Sequence, residues 1–178
     1  EGRHIFGILN EFEDVHCYGL DQDIPSLKKC EEGLKFFKEL DSNETIFQQG
    51  SVYQLPFEDD FFDLIICSEV LEHLEDYHAA LKEIHRVLKE NGTLIILETS
   101  VPTNCIIKIA YNIFTKIYVR LIGRVFSKNY KAYSYLQQSA SNFPHGKEFI
   151  KILKNSNFIN PSQDIKLFGA STIYIAKK

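Results

Sequence analysis

Two nearly unbroken apolar runs, FDLIICS (62–68) and TLIILET (93–99), flank an amphipathic stretch from Tyr77 to Lys89. A strand that is apolar on both faces has to be covered on both faces. The stretch between the runs puts Ala80, Leu81, Ile84, Val87 and Leu88 on one side of a helix. Asn91-Gly92 has the character of its C-terminal stop. A helix of this length between two strands is a crossover, and crossovers join parallel strands. The chain is therefore expected to be α/β, with a mostly parallel sheet and helices on both faces.

The rest of the chain extends this pattern. VHCYGLD (15–21) and TIFQQG (45–50) are two further strand candidates. Between them Leu27, Cys30, Leu34, Phe37 and Leu40 step by three or four, which predicts a helix over 26–40. The pattern changes after Val101-Pro102. Residues 103–126 have the periodicity of one long helix, and 127–142 are irregular and rich in Tyr and Ser. Another helix, starting near Pro144, includes Phe149 to Leu153. DIKLF (164–168) and STIYIAK (171–177), joined by Gly-Ala, predict two strands with a tight connection, hence an antiparallel C-terminal strand. The expected organisation is a single domain over 1–178. Its parts are a cofactor half (1–100), a helical lid or substrate insertion (101–145) and a C-terminal helix with strands (146–178).

Composition excludes several classes. The net charge of −4 gives no basic field for nucleic acid. The four cysteines are scattered without metal or redox spacing, so reduced core thiols and a cytoplasmic setting are expected. The six histidines form no HExxH, and no metal site is expected.

In open parallel sheets, ligands bind beyond the carboxyl ends of the strands. Asp21 ends the first strand run there, and a carboxylate can take both hydroxyls of a ribose. Alternatively it serves the following turn, and Asp23 or Ser26 caps the next helix. The next strand ends at Gly50-Ser51-Val52. Gly50 would allow a flat ligand close to the backbone. The Val52 N–H and the Ser51 hydroxyl would face an adenine edge, with Leu55 and Phe57 packed nearby, or Phe57 would plug the core. The third strand ends at Ser68-Glu69. Small or acidic groups at three successive strand ends suit a nucleoside.

The motifs GLDQDIPSL, GSVYQLPFEDDFFDLIICSEVLEHL and EIHRVLKENGTLIILE together resemble the class I S-adenosylmethionine-dependent methyltransferases. The resemblance implies a Rossmann-like fold and S-adenosylmethionine as cofactor, held by Gly2, Asp21, Gln22, Gly50, Ser51, Val52, Ser68 and Glu69. It also implies that Glu1-Gly2-Arg3-His4 ends a glycine-rich turn opening a helix at Ile5–Phe12, with the first strand before residue 1. RVLKENGTLIILETS, AYSYLQQSASNFPHGKEFIKILKNSNFIN and GASTIYIAKK resemble segments of the ubiquinone/menaquinone biosynthesis methyltransferases. That narrower resemblance implies C-methylation of a prenylated quinol. Glu72-His73 stands where that family has Arg-Asn, Ala140-Ser141 replaces Ile-Arg, and Ser51 replaces an acidic residue. These departures favour a rival, a methyltransferase for another small metabolite at oxygen, nitrogen or carbon. Two more rivals are a nicotinamide-dependent oxidoreductase and a non-catalytic methyltransferase-fold domain that binds a partner.

Methyl transfer from a sulfonium needs alignment and a dry site, worth roughly 7–11 kcal/mol. It also needs a base where the acceptor loses a proton. His73, Glu69 and Tyr135 are the catalytic candidates, with His73 titrating near pH 6.5 when unperturbed. Glu72 is weighed as a first-turn helix carboxylate, and Tyr133 as a lid residue like Tyr135. His78 and His85 are expected to be structural. In the predicted long helix, Lys108, Asn112, Lys116, Arg120 and Arg124 recur every four residues. Its four charges argue against a membrane span. The basic stripe is either a solvated face over an apolar pocket or a peripheral membrane contact through 105–126.

Overall fold

The computed structural model describes residues 2–36, 44–114 and 143–178. The chain divides into two compact units, Glu1–Pro56 and Phe57–Lys178.

The first unit contains α1 (Arg3–Glu11), β1 (Cys17–Asp21), α2 (Ile24–Leu34) and β2 (Thr45–Gln49). β1 and β2 are parallel, with Cys17 opposite Thr45 and Asp21 opposite Gln49. Helix α2 buries Leu27 and Cys30. It starts two residues earlier than the periodicity suggests because Asp23 caps it. The Asp23 carboxylate accepts the Ser26 N–H at 2.9 Å and the Ser26 hydroxyl at 2.7 Å, and Pro25 occupies the first turn. The Ser26 side chain, followed by its N–H, holds the Asp23 carboxyl below its usual range. Phe37 and Leu40, expected in the same helix, lie outside the described residues.

The second unit is a four-stranded sheet in the order β3–β4–β6–β5. Its elements are β3 (Phe62–Ser68), a 3-10 turn (Leu71–His73), α3 (Tyr77–Val87), β4 (Leu88–Thr99), α4 (Cys105–Ile113), α5 (Lys147–Asn155), β5 (Ile159–Lys166), a second 3-10 turn (Leu167–Gly169) and β6 (Ser171–Lys177). β3 and β4 are parallel, and β6 runs antiparallel to both β4 and β5. β5 therefore points the same way as β3 and β4, so the carboxyl ends of all three share one edge. Leu81, Ile84, Val87, Leu94, Ile96, Phe149, Leu153 and Tyr174 are almost fully buried. Each large apolar side chain so placed contributes roughly 1.5–3 kcal/mol. The rings of Phe143, Phe149 and Tyr174 form a chain with centroids 5.1 and 4.7 Å apart.

Several boundaries differ from expectation. Helix α3 ends at Val87, and Asn91-Gly92 does not cap it. Leu88 is already extended and pairs with Phe62. Asn91 donates its N–H to the Lys178 carbonyl, and Lys178 donates back to Gly92. Pairing with neighbouring strands thus takes the residues that local sequence assigned to a helix stop. β5 begins at Ile159, five residues before the expected start, because the INPSQ segment extends the pairing with β6. Of the predicted long helix, residues 103–114 are described; the helix there is Cys105–Ile113, capped by Asn104. Cys105 is exposed, unlike Cys17, Cys30 and Cys67. It lies in the first turn of a helix whose described part buries no residue.

Candidate functional site

In the first unit the predicted nucleoside-binding residues gather at the ends of β1 and β2. Asp21 is exposed, and one of its carboxylate oxygens accepts the Asp23 N–H at 2.9 Å. Its carbonyl accepts the Gly50 N–H at 3.1 Å, which fastens the two strand ends together. The Gln22 carbonyl accepts the Gln49 side-chain amide at 3.1 Å. Ser51 turns the chain by pairing with Gln54, and its hydroxyl accepts the Tyr53 N–H at 3.3 Å. Val52 follows inside this turn. Gly2 precedes α1 with φ 74° and brings no side-chain cap, so the first N–H groups of the helix have no capping oxygen from it. These residues fit a nucleoside. The second oxygen of Asp21 can take a ribose hydroxyl, and the Ser51 hydroxyl keeps its proton to donate.

Two residues expected near the nucleoside have protein neighbours of their own. A Cβ on Gly50 would lie 2.6 Å from Leu20 Cδ1, so the end of the Leu20 side chain packs closely over this glycine. Phe57 belongs to the second unit, where it packs edge-on against Phe62 at 4.7 Å and stacks on Phe61 at 5.5 Å.

In the second unit the carboxyl ends of β3 and β4 hold a cluster of acids. Ser68 pairs with Leu97 at the end of β3. Glu69 comes next in a left-handed conformation, φ 54°, with its N–H on the Leu97 carbonyl at 2.8 Å. Such a conformation costs about 1–3 kcal/mol in a residue with a side chain. Glu69 remains exposed. The Glu72 side chain is only 4% exposed; one carboxylate oxygen takes the Thr99 hydroxyl and the other lies 3.6 Å from His73 Nε2. Glu72 is therefore anchored within the 3-10 turn and is not a first-turn residue of α3. The His73 side chain is 33% exposed, with one ring nitrogen held beside a buried carboxylate. His78 stacks near Tyr77, and His85 meets the Phe158 ring edge-on at 5.1 Å. Burial is the main reason the His85 pKa falls below the ordinary histidine value.

Glu98 was not singled out from sequence, yet it organises this edge. It is 1% exposed. Its Oε1 accepts the N–H groups of Leu71 at 2.9 Å and Val70 at 3.2 Å. Oε2 has no hydrogen-bond partner among the described residues. Burial pushes its pKa up to about 8; the Glu72 charge adds to this and the two N–H groups oppose it. The signal was present in TLIILET. Leu94, Ile96 and Glu98 alternate on one face, so a carboxylate occupies a position that the pattern buries. Burial, with a smaller effect from Glu98, also raises the Cys67 thiol pKa. Tyr133 and Tyr135 lie outside the described residues. Among the described residues no three His, Cys, Asp or Glu side chains form a metal-binding group.

The fold is that of the Rossmann-like S-adenosylmethionine-dependent methyltransferases. A methyltransferase of this class from Thermotoga maritima matches 99% of this chain and 94% of its own length, with TM-score 0.59 and 15% identity. Phosphoethanolamine N-methyltransferase 2 of Haemonchus contortus, solved with S-adenosylmethionine, matches 99% of this chain and 52% of its own, with TM-score 0.62 and 12% identity. Within that class the chain belongs to the ubiE/COQ5 methyltransferase family, whose model matches residues 14–178. It is 34% identical over 166 residues to the demethylmenaquinone methyltransferase of Bacillus mycoides, covering 93% of this chain and 69% of that protein. It is 40% identical over 111 residues to the Staphylococcus aureus enzyme of the same name, covering 62% of this chain and 46% of that protein. A Bacillus cytotoxicus relative is matched over 62% of its length. The chain thus spans part of each relative. Membership makes it a chain of a methyltransferase family, with S-adenosylmethionine as the methyl donor.

Proposed function

We propose that the intact protein methylates a ring carbon of a prenylated quinol in menaquinone or ubiquinone biosynthesis. The observation that carries this is the 34% identity to a demethylmenaquinone methyltransferase over 93% of the chain. S-adenosylmethionine supplies a methyl group whose bond to sulfur breaks, with its electron pair, as the ring carbon bonds to it. The protein's own contribution is positioning and proton removal. Asp21 and Ser51 hold the sugar and base at the β1–β2 edge. At the carboxyl ends of β3 and β4, His73 takes the quinol hydroxyl proton and thereby enriches the ring carbon in electrons. Glu72 orients the imidazole and balances its charge. Water then takes the proton released from the methylated carbon.

A cytoplasmic enzyme touching the membrane peripherally through 105–126 suits an acceptor of this kind. Among the described residues no helix is long and apolar enough to cross a membrane. The test is methylation by the full-length protein of a prenylated naphthoquinol, with methyl incorporation located by NMR. Methyl on the ring carbon supports the reading. Transfer to oxygen, or turnover only of polar metabolites, defeats it. The departure at Glu72-His73 favours the small-metabolite rival, and the same assay with unprenylated acceptors separates the two.

A further inference from the structure

The connection between β5 and β6 joins left-handed backbone to exposed apolar side chains. Leu167 and Phe168 both have positive φ, 47° and 57°, and Gly169 follows at 96°. Two consecutive non-glycine residues in the left-handed region are unfavourable, and Gly or Asn is the usual choice. The backbone is nevertheless firmly held. Ala170 donates to the Leu167 carbonyl at 3.1 Å, and Ser100 donates its N–H to the Ala170 carbonyl at 3.0 Å. The Ser100 hydroxyl donates to the Gly169 carbonyl at 2.9 Å. A Cβ on Gly169 would come within 3.0 Å of Pro102 Cα, so the tip is packed against the segment leaving β4.

This rigid tip presents two large apolar side chains to solvent, Leu167 at 73% exposure and Phe168 at 84%. Neither packing nor turn chemistry explains them. Their location offers them a use. They follow the carboxyl end of β5, at the edge that also carries Glu69, Glu72, His73 and Glu98. Ile106, 78% exposed in the first turn of α4, follows Pro102 by four residues, a reach of at most about 14 Å. The same sheet edge therefore carries a polar part, able to handle an acidic hydroxyl, at the ends of β3 and β4 and an apolar part at the end of β5.

We propose that Leu167 and Phe168 form the surface on which the apolar tail of the methyl acceptor lies, and so select for acceptors that carry such a tail. This rests on the proposed function and assigns the tail a place within it. An exposed aromatic covered by an isoprenoid chain on binding supports affinity for the tail and leaves the ring chemistry untouched.

The test uses full-length protein, with Phe168→Ser and Leu167→Ser, singly and together, and Phe168→Leu as the conservative variant. Each is assayed on a detergent-solubilised quinol with a long isoprenoid tail and on the same quinol without a tail. The expected result is a fall of about tenfold or more in kcat/KM for the tailed quinol, carried by KM. The tailless quinol and S-adenosylhomocysteine binding should stay unchanged, and Phe168→Leu should recover most of the loss. Equal losses on both quinols, or no loss on the tailed one, overturn the proposal. A loss seen only when the tailed quinol is presented in anionic vesicles would assign the tip to the bilayer surface and also overturn it. A wild type that methylates neither quinol would overturn the proposed function itself, and the tail surface with it.

Discussion

Glu98 Oε1 accepts the N–H of Leu71 at 2.9 Å, across 27 residues of sequence. With the second bond from Val70, this ties the segment carrying Glu69, Glu72 and His73 to the end of β4. The acid does so while buried beside another buried carboxylate. Its folded pKa of about 8, against 4.5 for an ordinary glutamate, means that the native state retains the proton through neutral pH. The unfolded state releases it. Wild-type stability should therefore fall as pH rises from about 4.5 to 8, by up to about 1.4 kcal/mol per pH unit. Below pH 4.5 both states hold the proton and the effect vanishes. Glu98→Gln keeps an acceptor for the two N–H groups and cannot ionise. Its Tm should match the wild type near pH 4.5 and exceed it increasingly towards pH 8. A constant Tm difference across that range would show that Glu98 does not titrate on folding.

Removing the Asp21 carboxylate tests the nucleoside end. In the full-length protein, Asp21→Ala should weaken S-adenosylhomocysteine binding by about 10- to 100-fold in calorimetry, the range of a lost charge-assisted hydrogen bond. The cap on α2 belongs to Asp23, so the helix should be unaffected and the thermal midpoint nearly unchanged. Unaltered affinity would remove Asp21 from the site.

His73→Ala should lower kcat by roughly 10²–10⁴, the usual contribution of a positioned base. S-adenosylhomocysteine binding should stay at the wild-type value. Glu72→Gln should reproduce part of the loss, because it leaves the ring in place without the opposing charge. A normal kcat for His73→Ala would reassign proton removal to another group.

Tyr174 tests the core under the C-terminal strands. Its hydroxyl accepts the Gly146 N–H at 2.7 Å from a residue only 1% exposed. Tyr174→Phe leaves that N–H, at the start of α5, without its acceptor. Chemical denaturation should show a loss of about 1–3 kcal/mol. Activity at temperatures well below the midpoint should be retained.

The chain's own order of residues was enough to specify the parallel α/β arrangement and which strand ends carry acids. Buried strands announce themselves through uninterrupted apolar residues, as in FDLIICS, and amphipathic helices through their three-to-four spacing. The capping of α2 by Asp23 was also local, since a cap bonds within three residues. Glu98 depended on contact between β4 and the turn at Leu71, and a carboxylate's burial is settled by what folds over it. The start of β4 at Leu88 likewise followed from pairing with Phe62, which overrode a plausible helix stop. The run DIKLF predicts Leu167 and Phe168 as strand residues. Only the folded backbone, clamped by Ser100 and Pro102, turned them out at the edge where the acids lie. Sequence sets preferences over a few residues. Energies that arise between segments distant in the chain decide the rest, and those exist only once the segments have met.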